Sequence, residues 1–325
     1  SGLVVSCPAA MIQAAATTAD LGPPVAIVDA EADLLPLVIS SPHSGKIYPP
    51  SLLSETAVAL EHLRRLEDGC VERLFGHGPS VGVPLLHARF ARAYVDPNRA
   101  AFELDADLFE GPLPGYVNLN SAKARAGLGS IPSRVAGHAI YRSRLSFDEA
   151  QRRLRSAYWP YHHALQGLLA KAMREFGVVL LLDCHSMPSL SANGANGANG
   201  SNAGDRVVDF ALGDRFGRSC SAVVIEAAEA ILRRKGFTVA RNRPYAGGHI
   251  TASYGCPEAD IHALQIEVRR GLYMDERTLM PHAALDDLRV VVRDLLVELG
   301  RFVVEELPPT SRRMADPLPA LPAGV

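Results

Sequence analysis

The stretch FGVVLLLDCHSMPS, Phe176–Ser189, decides the architecture. Its apolar run, Val178 to Leu182, has the length of one strand and no polar alternation, the pattern of a strand buried on both faces of a sheet. The run then stops abruptly at Asp183, Cys184, His185 and Ser186. Either the sheet simply ends there, or that edge carries the chemistry. Ligands of open α/β sheets bind beyond the carboxyl ends of the strands, so the other strand ends have to be weighed with this one.

Upstream, SFDEAQRRLRSAYWPYHHALQGLLAKAMREFG predicts the clearest helix of the chain. Ser146 and Glu149 form a capping box, and Leu154, Tyr158, Tyr161, Leu165, Leu168 and Ala172 recur at helical steps as one buried stripe. Pro160 predicts a kink, and Gly177 closes the helix. His162 and His163 flank the stripe, where packing is the expected role. Strands are expected at Leu34 to Ile39, in VPLLHARFARAYVDPNR, in FTVARNRPY and in IHALQIEVRRGLYM. Helices are expected in SLLSETAVALEHLRRLEDGCVERLFG, broken near Asp68-Gly69, in SAVVIEAAEAILRRKG, and from Leu279 to Glu306.

Strands alternating with helices predict an α/β fold, a three-layer α/β/α arrangement around a mixed, largely parallel sheet. A single catalytic domain is expected over 33–306, with insertion loops near 100–145 and 188–205. Residues 1–32 read as an extended arm and 307–325 as a Pro-rich tail. The Asn-Gly repeat within 192–202 can supply no packed core and reads as a mobile loop of unassigned role.

Bulk composition narrows the class. Apolar residues at 48% and charged residues at 21% describe an ordinary globular chain, and a net charge of −2 gives no reason to expect a nucleic-acid or anionic-membrane partner. The five cysteines are scattered without a C-x-x-C pair, which predicts neither a disulfide framework nor a zinc knuckle and fits a reducing cytoplasm. No run approaches a membrane span, and the N-terminal stretch lacks the basic region of a secretory signal.

Four candidate strands end in conspicuous polar groups: Ser41-Pro42-His43-Ser44-Gly45, Asp96-Pro97-Asn98-Arg99, Asp183-Cys184-His185-Ser186 and Glu267-Val268-Arg269-Arg270. Two histidines with one carboxylate leave a fourth position open on zinc, the arrangement of a catalytic site. Glu67 and Asp68 of RRLEDG both offer that carboxylate. Taken singly, each residue has a plainer reading: a strand-end histidine is usually a hydrogen-bonded loop residue, and most acids and arginines are simply solvated. The convergence of the set is the signal.

The elements SPHSG, LEDGCVERLF, YVDPNR, YWPYHHAL, LDCHSMPS, GGHITASYG and HALQIEVRRGLYMDE together resemble the N-formylglutamate amidohydrolase family, from about Leu37 to Glu276 and in the family's order. The resemblance implies a zinc hydrolase with a fold similar to the zinc carboxypeptidases and aspartoacylases (phosphorylase/hydrolase-like), holding one zinc ion per chain. It places His43 and His185 as metal ligands, with Asp68 matching the family's aspartate ahead of the RLF element and Glu67 as the alternative. It implies Glu267 as general base on the activated water, and Asn98-Arg99 as a grip on a substrate carboxylate.

N-formylglutamate carries two carboxylates, and arginine's planar fork suits them, so Arg92, Arg99, Arg241, Arg243 and Arg270 are cationic candidates. Arg99 and His249 join Glu267 as expected catalytic residues, and Arg92, Asn98, Arg99, Ser186, Tyr245 and Arg270 as expected substrate contacts. Asp183 is a candidate partner that orients a neighbouring group. Arg269 departs from the asparagine expected in many relatives.

The implied activity is hydrolysis of N-formyl-L-glutamate to formate and L-glutamate, a step of histidine degradation. Three other readings remain open at this stage: hydrolysis of another N-acyl amino acid or small acidic amide, a cysteine nucleophile at Cys184 or Cys256, and a non-catalytic dicarboxylate-binding protein. The last gives the histidine and carboxylate set little purpose, because buried unpaired carboxylates are costly.

Overall fold

A computed structural model describes residues 21–189 and 207–307. The Asn-Gly repeat within 192–202, most of the N-terminal arm and nearly all of the Pro-rich tail lie outside the described residues. The chain divides into two compact units, one built mainly from Gly45–Glu67 and Ala88–His163, the other from Ile27–Ser44, Asp68–His87 and the chain from Ala164 onward.

The strands, in chain order, are β1 (Val25–Val28), β2 (Leu37–Ser41), β3 (Leu85–Ala88), β4 (Arg134–Val135), β5 (His138–Ala139), β6 (Val179–Met187), β7 (Phe210–Gly213), β8 (Val239–Arg241), β9 (Ile261–Arg269), β10 (Met274–Asp275) and β11 (Met280–Pro281). The larger unit carries a seven-stranded sheet in the order β1-β3-β2-β6-β9-β7-β8. β2, β3, β6 and β9 run parallel, whereas β7 pairs antiparallel with β9 and parallel with β8. The mixed, mainly parallel α/β reading therefore holds.

The apolar runs form the middle of this sheet because their residues are buried on both faces. β6 is buried at every position and β9 at all but Arg269. Leu180, Leu182 and Cys184 face the helices Ala222–Arg234 and Ala284–Glu306 in one core cluster, with Leu264, Ile266 and Val268 beside them on β9. Each fully buried leucine there contributes roughly 1.5–3 kcal/mol. Side chains alternate along a strand, so Asp183 and His185 face the opposite way.

Two sheet strands were not foreseen. Val25–Val28, inside the expected arm, is an edge strand, and Phe210–Gly213 is a central one only four residues long.

In the smaller unit, Ser146 Oγ accepts the Glu149 amide at 3.2 Å and caps the helix Phe147–Arg153, the first half of the expected capping box, while the Glu149 carboxylate goes to Arg152 and Arg153 instead. The kink expected at Pro160 takes the form of a π-helical turn, Leu154–Tyr158, immediately before the helix Trp159–Phe176. Proline has no amide hydrogen to continue the ladder, and widening the preceding turn absorbs the missing bond. Arg153, fully buried, bonds Glu149 at 2.6 Å, Glu55 at 2.8 Å and Tyr141 Oη at 2.6 Å, joining three segments of this unit.

Candidate metal centre

β2 ends at Ser41 and the chain turns through Pro42-His43-Ser44, with Ser41 Oγ donating to Ser44 Oγ at 3.0 Å. The Asp68 amide donates to the His43 carbonyl at 2.9 Å, so the acid is tied to the histidine's own backbone. Beyond Gly69 the chain reverses at Cys70, whose φ of 62° is left-handed, and enters the helix Val71–Leu74. The expected break near Asp68-Gly69 is this reversal. The Asp68 carboxylate is buried, and one oxygen, Oδ2, lies 3.3 Å from His43 Nδ1 and 2.9 Å from His185 Nδ1. The two imidazole rings stand 4.8 Å apart, tilted by 55°.

His185 is held from its other side as well, Nε2 lying 3.1 Å from Asp183 Oδ2. Such a carboxylate fixes the ring's orientation and tautomer. Burial pulls the His185 pKa down, but the adjacent Asp183 and Asp68 carboxylates outweigh it and raise the value well above the ordinary histidine range. For Asp68, burial works against ionisation, yet hydrogen bonds to His185 and His43 hold the carboxyl well below its usual range.

Glu267 is the in-register neighbour of His185 across the parallel pair, as Gln265 is of Asp183. Gln265 Nε2 donates to Glu267 Oε1 at 2.8 Å. Burial pushes the Glu267 carboxyl up to about 7; Asp68 and Asp183 add to the rise and His185 opposes it.

Three carboxylates, Asp68, Asp183 and Glu267, are thus 3%, 0% and 7% exposed around two histidines. A cluster this rich in buried negative charge calls for a cation. His43, Asp68 and His185 each offer one ligand atom, and the three lie within 4.8 Å of one another. Two imidazole nitrogens and one carboxylate oxygen suit a zinc ion with an open position.

Glu67, the alternative acid, belongs to the smaller unit and accepts from Tyr48 Oη at 2.6 Å and Arg64 Nε at 3.3 Å; it is not part of the cluster. Arg270 and Ser186, expected at the substrate, both bond Asp68 Oδ1, at 3.0 and 3.4 Å. His249 opens the helix His249–Tyr254, half-buried beside Ser253, and Tyr245 is exposed. Arg92, Asn98 and Arg99 lie in the smaller unit. There Asp96 accepts from Arg92 Nε and from the Asn98 amide, both at 2.8 Å, and Arg99 Nε donates to the Leu128 carbonyl at 2.9 Å.

Arg241 pairs with Glu226 and Glu229, and Arg243 is exposed. β8 runs against β9, so its carboxyl end leads away from the edge that carries His185. Arg269 pairs with Asp209 at 2.6 Å and ties the end of β9 to the start of β7. Cys184 sits in the apolar cluster on the other face, and burial pushes its thiol well up, the reverse of an activated nucleophile. His162 is buried, its Nε2 2.9 Å from the Pro97 carbonyl, in keeping with a packing role. Gln265 escaped the sequence reading, although two polar residues spaced by two in an apolar strand, Gln265 and Glu267, mark one face.

Among the described residues, no helix is long and apolar enough to cross a membrane. The profile of the family described as N-formylglutamate amidohydrolase matches residues 35–274, which include His43, Asp68, His185 and Glu267. The chain is 32% identical to the N-formylglutamate deformylase of Pseudomonas aeruginosa over 275 residues, 82% of this chain and 92% of that one. The Pseudomonas putida N-formylglutamate deformylase is 29% identical with the same coverage. The crystal structure of N-formylglutamate amidohydrolase from Ralstonia eutropha JMP134 superposes with a TM-score of 0.81 at 38% identity, covering 86% of this chain and 98% of that one. On these matches the chain is an amidohydrolase, a member of the N-formylglutamate amidohydrolase family.

Proposed function

We propose that the chain hydrolyses the amide bond of N-formyl-L-glutamate, giving formate and L-glutamate, with one zinc ion held by His43, Asp68 and His185. The observation that carries this reading is the meeting of two histidine Nδ1 atoms on one Asp68 oxygen, with Glu267 in register beside His185, in a chain whose relatives are N-formylglutamate deformylases. A zinc ion bound there would supply Lewis-acid polarisation of the scissile carbonyl and would lower the pKa of a water to about 7.

The protein's own groups do the rest. Glu267 takes the proton of the attacking water and returns it to the departing amide nitrogen, the leaving group that most needs it. Gln265 holds one oxygen of Glu267 and leaves the other to the proton. Asp183 keeps His185 Nδ1 directed at the ligand position by engaging Nε2. Asn98 and Arg99, with Arg92, take the carboxylates of the substrate, a role that rests on their match to the family's grip and on the bidentate geometry of arginine. His249 and Tyr245 complete the substrate contacts. The place of the reaction is histidine degradation in the cytoplasm.

Zinc content and formate release from N-formyl-L-glutamate, measured before and after chelation, test the reading. Zinc near one per chain with chelator-sensitive formate release is expected. Zinc without formate release overturns the substrate, and turnover indifferent to chelation overturns the metal.

A further inference from the structure

The Asp68 carboxylate is divided between two sets of partners. Its Oδ2 faces His43 Nδ1 and His185 Nδ1, whereas its Oδ1 accepts Arg270 Nη2 at 3.0 Å and Ser186 Oγ at 3.4 Å. The same guanidinium donates through Nε to Ser186 Oγ at 2.9 Å, and Nη2 also lies 3.5 Å from the Ser186 carbonyl. Arg270 is therefore spread over one carboxylate oxygen and the end of β6, with only 11% of its side chain exposed.

Register explains how it gets there. Met187 pairs with Arg269 in the parallel register, so Arg270, the first residue beyond β9, stands one step past the end of β6, and its side chain reaches back to Ser186 and Asp68. The turn that follows grips the backbone next to Asp68: Tyr273 Oη donates to the Gly69 carbonyl at 2.9 Å, and Met274 Cε occupies the space where a Cβ on Gly69 would stand, 2.8 Å from it. One segment thus holds both the loop that carries the acid and the acid's outer oxygen.

We propose that Arg270 is a positioning residue for the metal ligand Asp68. By occupying Oδ1 it leaves Oδ2 as the one coordinating oxygen, and it compensates part of the charge of three buried carboxylates. An arginine is required because its planar fork reaches Asp68 and Ser186 at once; a lysine supplies charge without that geometry. A substrate carboxylate could take Arg270 only by stripping Asp68 of a charge-assisted bond in a buried place. Gripping substrate is left to other arginines. The inference rests on the metal reading given above.

The test is zinc affinity without substrate. Apo wild-type protein, Arg270→Lys and Arg270→Gln are titrated with zinc against a chromophoric chelator, and kcat and KM for N-formyl-L-glutamate are then measured with zinc in excess. Arg270→Gln is expected to weaken zinc binding 10–100-fold, the usual cost of losing an outer partner of a ligand, with Arg270→Lys between it and wild type and KM within about threefold. If Arg270→Gln kept zinc within about twofold of wild type while KM rose tenfold or more, Arg270 would be a substrate contact and the proposal would fall. Should Arg270→Gln not fold, as judged by its thermal melt, Arg270→Lys decides: wild-type zinc affinity in that variant overturns the proposal. Wild-type protein that binds no zinc would overturn the metal centre itself, an outcome distinct from the others.

Discussion

Replacing Glu267 by glutamine separates its two conceivable roles, proton acceptor and metal ligand. The substitution keeps the volume of a side chain that is 7% exposed, so no cavity opens to admit a water in its place. Its hydrogen bond from Gln265 Nε2 at 2.8 Å survives, because the amide oxygen accepts as the carboxylate did. What disappears is the group that can take a proton.

General acid–base groups contribute typically 10²–10⁴-fold, and each tenfold corresponds to about 1.36 kcal/mol, so kcat should fall by about 2.7–5.4 kcal/mol of activation free energy. Glu267 is not among the three residues that could hold a metal together, so on the proposed reading zinc per chain should stay at the wild-type level. Formate release and metal content, measured on one preparation, are the assay. A variant within about tenfold of wild-type kcat means that another group accepts the proton. A variant that loses zinc together with activity means that Glu267 is a ligand, and the division of labour between His43, Asp68, His185 and Glu267 is wrong.

Two further changes probe the scaffold. Asp209→Asn removes the partner of Arg269, and about 1 kcal/mol of stability should go with it at neutral pH. Burial opposes ionisation of Asp209, but the Arg269 and Thr238 bonds lower its pKa, so the contribution is present above roughly pH 4 and is lost as pH falls through the lowered native value. Denaturant midpoints of the two proteins should therefore differ at pH 7 and converge at low pH; a constant gap would contradict the ion pair as its source. Gly45→Ala places a Cβ 2.0 Å from the Phe90 carbonyl oxygen, a backbone atom, so the loop must shift and about 1–3 kcal/mol of stability should be lost. An unchanged thermal midpoint would show that the close approach is not a constraint.

Much of the sheet was legible because its signals are local. β2 and β6 open as continuous apolar runs, β9 sets apolar residues around His262, Gln265 and Glu267, and the Ser146–Glu149 pair needs only four residues to be recognised. Strand direction is not local. FTVARNRPY reads as a strand, but only its pairing with β7, itself antiparallel to β9, shows that its carboxyl end leads away from the histidines. Arg241 was a candidate for the site on sequence and is an ion-pair partner of two helix glutamates in the structure. β7 was missed because four residues following a Gly- and Asn-rich stretch carry too little periodicity to be read as a strand.

The metal centre divides in the same way. His43 and His185 could be nominated because both stand where an apolar run ends, and strand ends are where α/β sheets place their ligands. Asp68 could not be told from Glu67 by any such rule, since the two are adjacent and alike. What sets them apart is contact: Asp68 Oδ2 lies beside His43 Nδ1 and His185 Nδ1, and Arg270, 202 residues away in sequence, takes that carboxylate's outer oxygen. Glu67 goes instead to Tyr48 and Arg64. A candidate site at strand ends is thus announced by the strands, while the contacts that set Asp68 apart from Glu67 come from partners that only the fold brings near. That asymmetry is why Arg270 matters: if it orients Asp68, the residue that settles the ligand set is one that every sequence-level rule sends to the substrate.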